Sequence, residues 1–171
     1  LWPLTKERSK PAVPIGGRYR LVDIPISNCL NSGLQHIHIL TQFNSVSLHR
    51  HINQTYRFDL FSKGWVEILA AERTLKSSDW YQGTADAVRK QIDELRAVDP
   101  RDFVILAGDH LYRMDYGAFI DRHRESRADI TVAVLPVTRA DAPRFGILET
   151  DPELRIVRFA EKPKDEAALD R

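Results

Sequence analysis

The sequence predicts an α/β chain on a mostly parallel sheet, and three observations predict it. Short apolar, strand-like runs alternate with amphipathic stretches of helical length, the order expected of parallel βαβ units. One run, DFVILAG at 102–108, is apolar almost throughout, as in a strand covered on both faces. It then stops on Gly108-Asp109-His110, placing an acid where ligands gather at the carboxyl edge of a parallel sheet.

The elements follow in chain order. KERSKPAVPIGGRYR carries Lys6, Arg8, Lys10, Arg18 and Arg20, broken by Pro11, Pro14 and Gly16-Gly17. That is too interrupted for an amphipathic helix. It reads as an extended, turn-rich segment that brings cations to an anionic ligand, with PAVPI partly buried; a solvated charge run is the plainer alternative. QHIHILTQF at 35–43 alternates and then turns apolar, a strand. SVSLHRHINQTY at 45–56 is a helix with Ser45 as N-cap and Val46, Leu48 and Ile52 on its apolar face. The stretch 58–80 is less regular, and WVEILAA within it reads as a strand. GTADAVRKQIDELRAV at 83–98 places Ala85, Val88, Ile92 and Leu95 at helical spacing. DFVILAG at 102–108 is a strand, YGAFIDRHRESRA at 116–128 a helix, and DITVAVLPV at 129–137 a strand. GILETD and RIVRFAEKP at 155–163 form two short strands, a hairpin.

Composition excludes several functions. A formal net charge of +1 gives no global signal for nucleic acid or membrane. No apolar run approaches the ~20 residues that span a bilayer. The lone Cys29 rules out an internal disulfide and reads as a small buried apolar residue. A cytoplasmic location is expected, with no nucleic-acid or membrane partner. The chain opens at Leu1 inside a motif-like run and stops just after FAEKPK, so a fragment of a longer protein is expected.

The chemistry concentrates at few places. Gly108 would let the backbone bend and a ligand approach Asp109. A carboxylate at a phosphate site suits Mg²⁺, which takes one or two carboxylates plus substrate phosphates. Asp109 capping a following turn is an equally good reading of that residue alone. Gly83-Thr84 begins a helix whose N-terminus offers free N–H groups, or is simply capped by Thr84. Glu161-Lys162 ends a strand before proline, either a ligand pair or an exposed edge pair. Asp115 is expected to cap or orient the helix after it.

Six blocks together resemble one family: PLTKERSKPAVPIGGRYRLVDIPISNCLNSG, LTQFNSVSLHRHI, WYQGTADAVR, LAGDHLYRMDY, FGILETD and FAEKP. Their order and spacing are similar to those of the glucose-1-phosphate adenylyltransferases, the ADP-glucose pyrophosphorylases. The resemblance implies a Rossmann-like nucleotidyltransferase domain followed by a left-handed β-helix. It implies synthesis of ADP-glucose and pyrophosphate from ATP and glucose 1-phosphate with Mg²⁺, toward glycogen or starch, by an allosteric homotetramer. By the same resemblance Asp109 is catalytic and holds the metal, and Lys10 contacts the reacting phosphates. Tyr81 and Gly83 belong to a substrate loop, Gly146 lies near the sugar, Glu161 binds sugar hydroxyls and Lys162 the sugar phosphate. Arg8, Gln42 and Trp80 match positions tied to effector response.

The chain departs from the family in places. The Gly-rich phosphate loop and the β-helix domain lie outside 1–171, so the chain is expected to be a partial catalytic domain, truncated at both ends and inactive alone. Glu7 and Pro14 stand where some members carry an effector-site lysine and histidine. Three alternatives compete: a relative using UTP or dTTP, a non-catalytic regulatory subunit, and a nucleic-acid module using RYR. The retention of Asp109, Lys10 and Lys162 favours catalysis over the second, and the near-neutral charge disfavours the third.

Overall fold

The computed structural model describes residues 1–71 and 80–163. It divides into two compact units, Leu1–Arg127 and Ala128–Arg171. The chain is of the α/β class, with a parallel sheet in the first unit.

The basic opening segment folds as a turn-rich ribbon, as expected. A 3-10 turn at Lys10–Ala12 leads into a hairpin of β1 (Pro14–Ile15) and β2 (Tyr19–Arg20). Gly16 and Gly17 close it with φ of 55° and 91°, angles that glycine adopts without a Cβ penalty. Ala12 and Val13 are buried, Lys6, Lys10 and Arg18 are exposed, and Arg8 and Arg20 are half-buried.

The helix α1 (Asp23–Asn31) follows, and nothing in the sequence reading anticipated it. Pro25 obscured it. In the first helical turn the missing N–H of proline has no partner to lose, so the residue is tolerated. Pro25, Ile26 and Cys29 turn inward, and Gly33 at φ 77° reverses the chain beyond the helix. Cys29 is buried, as expected, and burial raises its thiol pKa to about 11.

The strand β3 (His36–Thr41) pairs in parallel with β4 (Trp65–Ala70), from His36 opposite Trp65 to Thr41 opposite Ala70. The connection carries α2 (Val46–Thr55). Leu48 and Ile52, four residues apart, drop into one core with Ala12, Val22 and Ile26, and Ile37, Ile39, Val66 and Ile68 pack against it. Val46 does not join them. It lies about 200° round the helix from Leu48, at about 100° per residue, and is 72% exposed. Ser45 occupies the N-cap position, yet its hydroxyl makes no capping bond; its carbonyl accepts from His49 N at 2.8 Å.

The helix expected over 83–98 is two: α3 (Thr84–Lys90) and α4 (Ile92–Arg96). The break falls at Gln91, whose side chain bonds elsewhere in the unit. Of the predicted face, Leu95 is buried, Val88 and Ile92 half-buried and Ala85 exposed. The helix α5 (Tyr116–Ser126) is capped by Asp115, whose Oδ1 accepts from Gly117 N at 2.8 Å. That is the role expected of Asp115.

In the second unit, β5 (Gly146–Thr150) and β6 (Ile156–Glu161) form the expected antiparallel hairpin. The segments 102–108 and 129–137, expected as strands, join no ladder within their own units. Nor is the run at 102–108 covered on both faces as expected, since Phe103 is 48% and Ile105 68% exposed; apolar composition favours burial but does not specify the neighbour that would cover or pair with the segment. No helix among the described residues is long and apolar enough to cross a membrane.

Candidate active site

Lys10 is held by its backbone. The carbonyl of Lys10 accepts from Val13 N, that of Pro11 from Val22 N, and that of Ala12 from the Arg20 guanidinium at 2.7 Å. Ser9 N donates to Asn44 O at 3.1 Å, docking the turn beside the loop that leaves the carboxyl end of β3. All three carbonyls of the turn are therefore satisfied.

The Lys10 side chain reaches the Asp109 carboxylate. Asp109 sits in a tight turn after the apolar run, with His110 N donating to Ala107 O at 3.2 Å. The hydrogen bond from Lys10, and then its charge, hold the Asp109 carboxyl below its usual pKa, against an upward push from partial burial. Gly108 explains how the two segments come so close. A Cβ there would lie 2.9 Å from Pro11 Cγ and 3.2 Å from Pro11 Cβ, inside ordinary carbon contact distance. Gly108 thus makes room for the chain's own Pro11.

A second group gathers at the carboxyl ends of β3 and β4. Gln42 Oε1 accepts from Tyr81 N at 2.7 Å. Gln91 donates to Tyr81 Oη at 2.8 Å and to Ala70 O at 3.2 Å. Trp80 packs on Phe43, their ring centroids 5.0 Å apart. Gly83 follows at φ 146°, ψ 179°, backbone that disfavours any side chain. Thr84 does not cap α3; the Asp86 carboxylate in its first turn accepts from Gln82 N at 2.9 Å, tying down the chain ahead of the helix. That bond and the Arg89 guanidinium take the Asp86 pKa down to about 2.

The third group lies in the second unit. Gly146 pairs across the hairpin with Glu161, and a Cβ on Gly146 would meet the Phe159 ring at 2.8 Å and Glu161 Oε2 at 3.1 Å. Lys162 adopts φ 46° and its ammonium lies 3.1 Å from Glu161 Oε1. Both side chains are more than half exposed, so this pair contributes little stability and leaves both groups open to a ligand. Arg8 lies half-buried two residues before Lys10, and none of the contacts above runs to it.

The sequence reading missed the support behind Lys10. Asp23 is 5% exposed and accepts from Arg20 N at 2.8 Å, His51 Nε2 at 2.8 Å and Tyr56 Oη at 2.7 Å. A carboxylate only accepts, so Nε2 of His51 carries the proton in that bond. Arg20 in turn binds Ala12 O and, at 2.8 Å, Ser47 Oγ. Burial and the Asp23 bond push the Tyr56 hydroxyl pKa upward. Asp23 and Arg20 were visible as charges; their meeting with α2 was not.

The described residues contain no cluster of three His, Cys, Asp or Glu able to cage a metal. That donor poverty excludes a structural zinc site among them. It is compatible with Mg²⁺, which needs one or two carboxylates when phosphate oxygens and waters supply the rest. Asp109, a hard oxygen donor beside a lysine, fits that demand.

The nucleotidyl transferase family model matches residues 1–170, and the chain belongs to that family. Family membership implies a nucleotide and a sugar phosphate as the substrate classes.

Proposed function

We propose that this chain carries the catalytic centre of a glucose-1-phosphate adenylyltransferase. The observation that supports it most is the Lys10–Asp109 pair. Two residues far apart in sequence, each the catalytic position by resemblance, stand in contact on separately anchored turns. Gly146, Glu161 and Lys162, the sugar-phosphate positions by the same resemblance, are likewise neighbours on one hairpin.

In this reading a phosphate oxygen of glucose 1-phosphate attacks the α-phosphorus of ATP. The new P–O bond forms as the α–β bridge breaks, and pyrophosphate leaves with its electron pair. The nucleophile is already an anion, so no general base is needed. The protein's task is to hold two mutually repelling anions in line and to stabilise charge on the transferring group. Lys10 offers its ammonium to the reacting phosphates, Lys162 holds the sugar phosphate and Glu161 accepts from sugar hydroxyls. Asp109 would hold Mg²⁺, which when bound screens the phosphate charges. Tyr81 and Gly83 form part of a substrate loop, while Arg8, Gln42 and Trp80 serve effector response in a homotetrameric, cytoplasmic enzyme of glycogen or starch synthesis.

The test is pyrophosphate release from glucose 1-phosphate with Mg²⁺ by the full-length protein containing this chain, across ATP, UTP, dTTP, CTP and GTP. Strong ATP preference, lost in Asp109→Asn, is expected. Preference for UTP or dTTP would retain the mechanism and overturn the ADP-glucose assignment. Silence with every nucleotide would move the reading to a regulatory subunit.

A further inference from the structure

We propose that Asn28 and Ser32, in the SNCLNSG motif of α1, are positioning residues that clamp the Asp109 loop. The inference rests on the reading of Asp109 given above. The two residues lie four apart along one side of the helix, Asn28 in its last turn and Ser32 at its C-cap. Asn28 Nδ2 donates to Tyr112 O at 2.7 Å. Ser32 Oγ accepts from Tyr116 N at 2.9 Å. These bonds grip both ends of the segment 112–116, which begins three residues after Asp109. Tyr116 itself is 1% exposed, so the far end of the loop is also anchored by burial.

The same helix holds the other partner. At its start, Val22 N binds Pro11 O at 3.0 Å, and Arg20 binds both Ala12 O and, through its N–H, the Asp23 carboxylate. Lys10 thus hangs from the beginning of α1 and Asp109 from its last turns. The helix acts as a rigid spacer that sets the distance between the two. Asn28 must donate, because its partner is a carbonyl; an aspartate there would face Tyr112 O with a second acceptor.

The experiment uses the full-length protein with Asn28→Ala, Asn28→Asp, Ser32→Ala and Ser32→Thr, and Ser27→Ala, an exposed site on the same helix, as control. Two readouts are taken. The first is kcat against KM. A small displacement of a catalytic group costs on the order of 10- to 100-fold in rate, so kcat should fall by about that much in the two alanine variants and in Asn28→Asp. KM for glucose 1-phosphate should move less than about threefold, with kcat referred to the folded fraction measured for each variant, because partial unfolding by itself lowers apparent kcat without moving KM. Ser32→Thr keeps the hydroxyl and should restore most of the rate. The second readout is amide exchange at His110, which bonds neither residue. It should quicken in the alanine variants while α2 and β3 stay protected.

Folded alanine variants with kcat within twofold of the parent and unchanged exchange at His110 would overturn the proposal. If the parent protein turns over no nucleotide, the catalytic reading fails by itself. The exchange readout then still decides the clamp: a loosened His110 upholds it and an unchanged one ends it.

Discussion

Replacing Gly108 with alanine is expected to push Lys10 away from Asp109. The new Cβ would stand 2.9 Å from Pro11 Cγ, against about 3.5–4.0 Å for relaxed carbon contact. The segments must separate by roughly 0.6–1 Å. Pro11 cannot turn aside, because its ring is fixed and its carbonyl is bonded to Val22 N. Overpacking of this kind costs about 1–3 kcal/mol. Stiffening the unfolded chain returns about 0.4–1 kcal/mol, so the clash wins by about 1–2 kcal/mol. That corresponds to a fall in Tm of about 2–8 °C for a protein of this size. A displacement near 1 Å lowers turnover by up to about 100-fold. The assay is a thermal melt of the variant with pyrophosphate release by the full-length protein. Adding Pro11→Ala removes the Cγ and should recover part of both losses. A Gly108→Ala variant with unchanged or raised Tm and kcat within twofold would refute the contact.

Further outcomes are expected. The Asp109 carboxyl is held below its ordinary pKa, so its share of stability is present above the unfolded value and is lost as pH falls through the folded one. Urea unfolding of wild type and Asp109→Asn should therefore differ at pH 7 and converge below the usual aspartate range. The gap should be about 1 kcal/mol at most, because Lys10 is more than half exposed. Cys29 is buried with its pKa near 11, so a thiol reagent at pH 8 should modify it only after denaturant is added. Asp23→Ala strands the His51, Tyr56 and Arg20 donors in a buried place, and an equilibrium melt should show a loss of about 3 kcal/mol or more. A loss below about 1 kcal/mol would mean that water replaces the carboxylate.

Much of the local structure was legible. Alternation located β3 and an apolar helical face located α2, because each pattern reflects one face of one element, and α5 and the β5–β6 hairpin also lie where the sequence placed a helix and two short strands. The failures have identifiable sources. Pro25 concealed α1, since a proline in a first turn resembles a helix breaker unless the start of the helix is known. The break at Gln91 comes from bonds to Ala70 and Tyr81, and no spacing within 83–98 could announce partners on β4 and the loop before α3. The apolar run at 102–108 suggested a strand covered on both faces, yet Phe103 and Ile105 are exposed, because composition does not name the element that would cover it.

The sequence by itself determined which chemistry each segment carries: a lysine in a proline-bound turn, an acid after an apolar run, a glutamate and a lysine closing a strand. Those are properties of a few consecutive residues, settled by side-chain type and backbone propensity. Only the tertiary structure decided that Lys10 meets Asp109, that Gly108 accommodates Pro11, and that α1 carries both loops. Contacts of that kind depend on the path of the whole chain. The loop-closure entropy of the Lys10 turn, α1 and α2 is offset by a core of Ala12, Val22, Ile26, Leu48 and Ile52, while the Asp109 loop is held through the bonds of Asn28 and Ser32 and the burial of Tyr116.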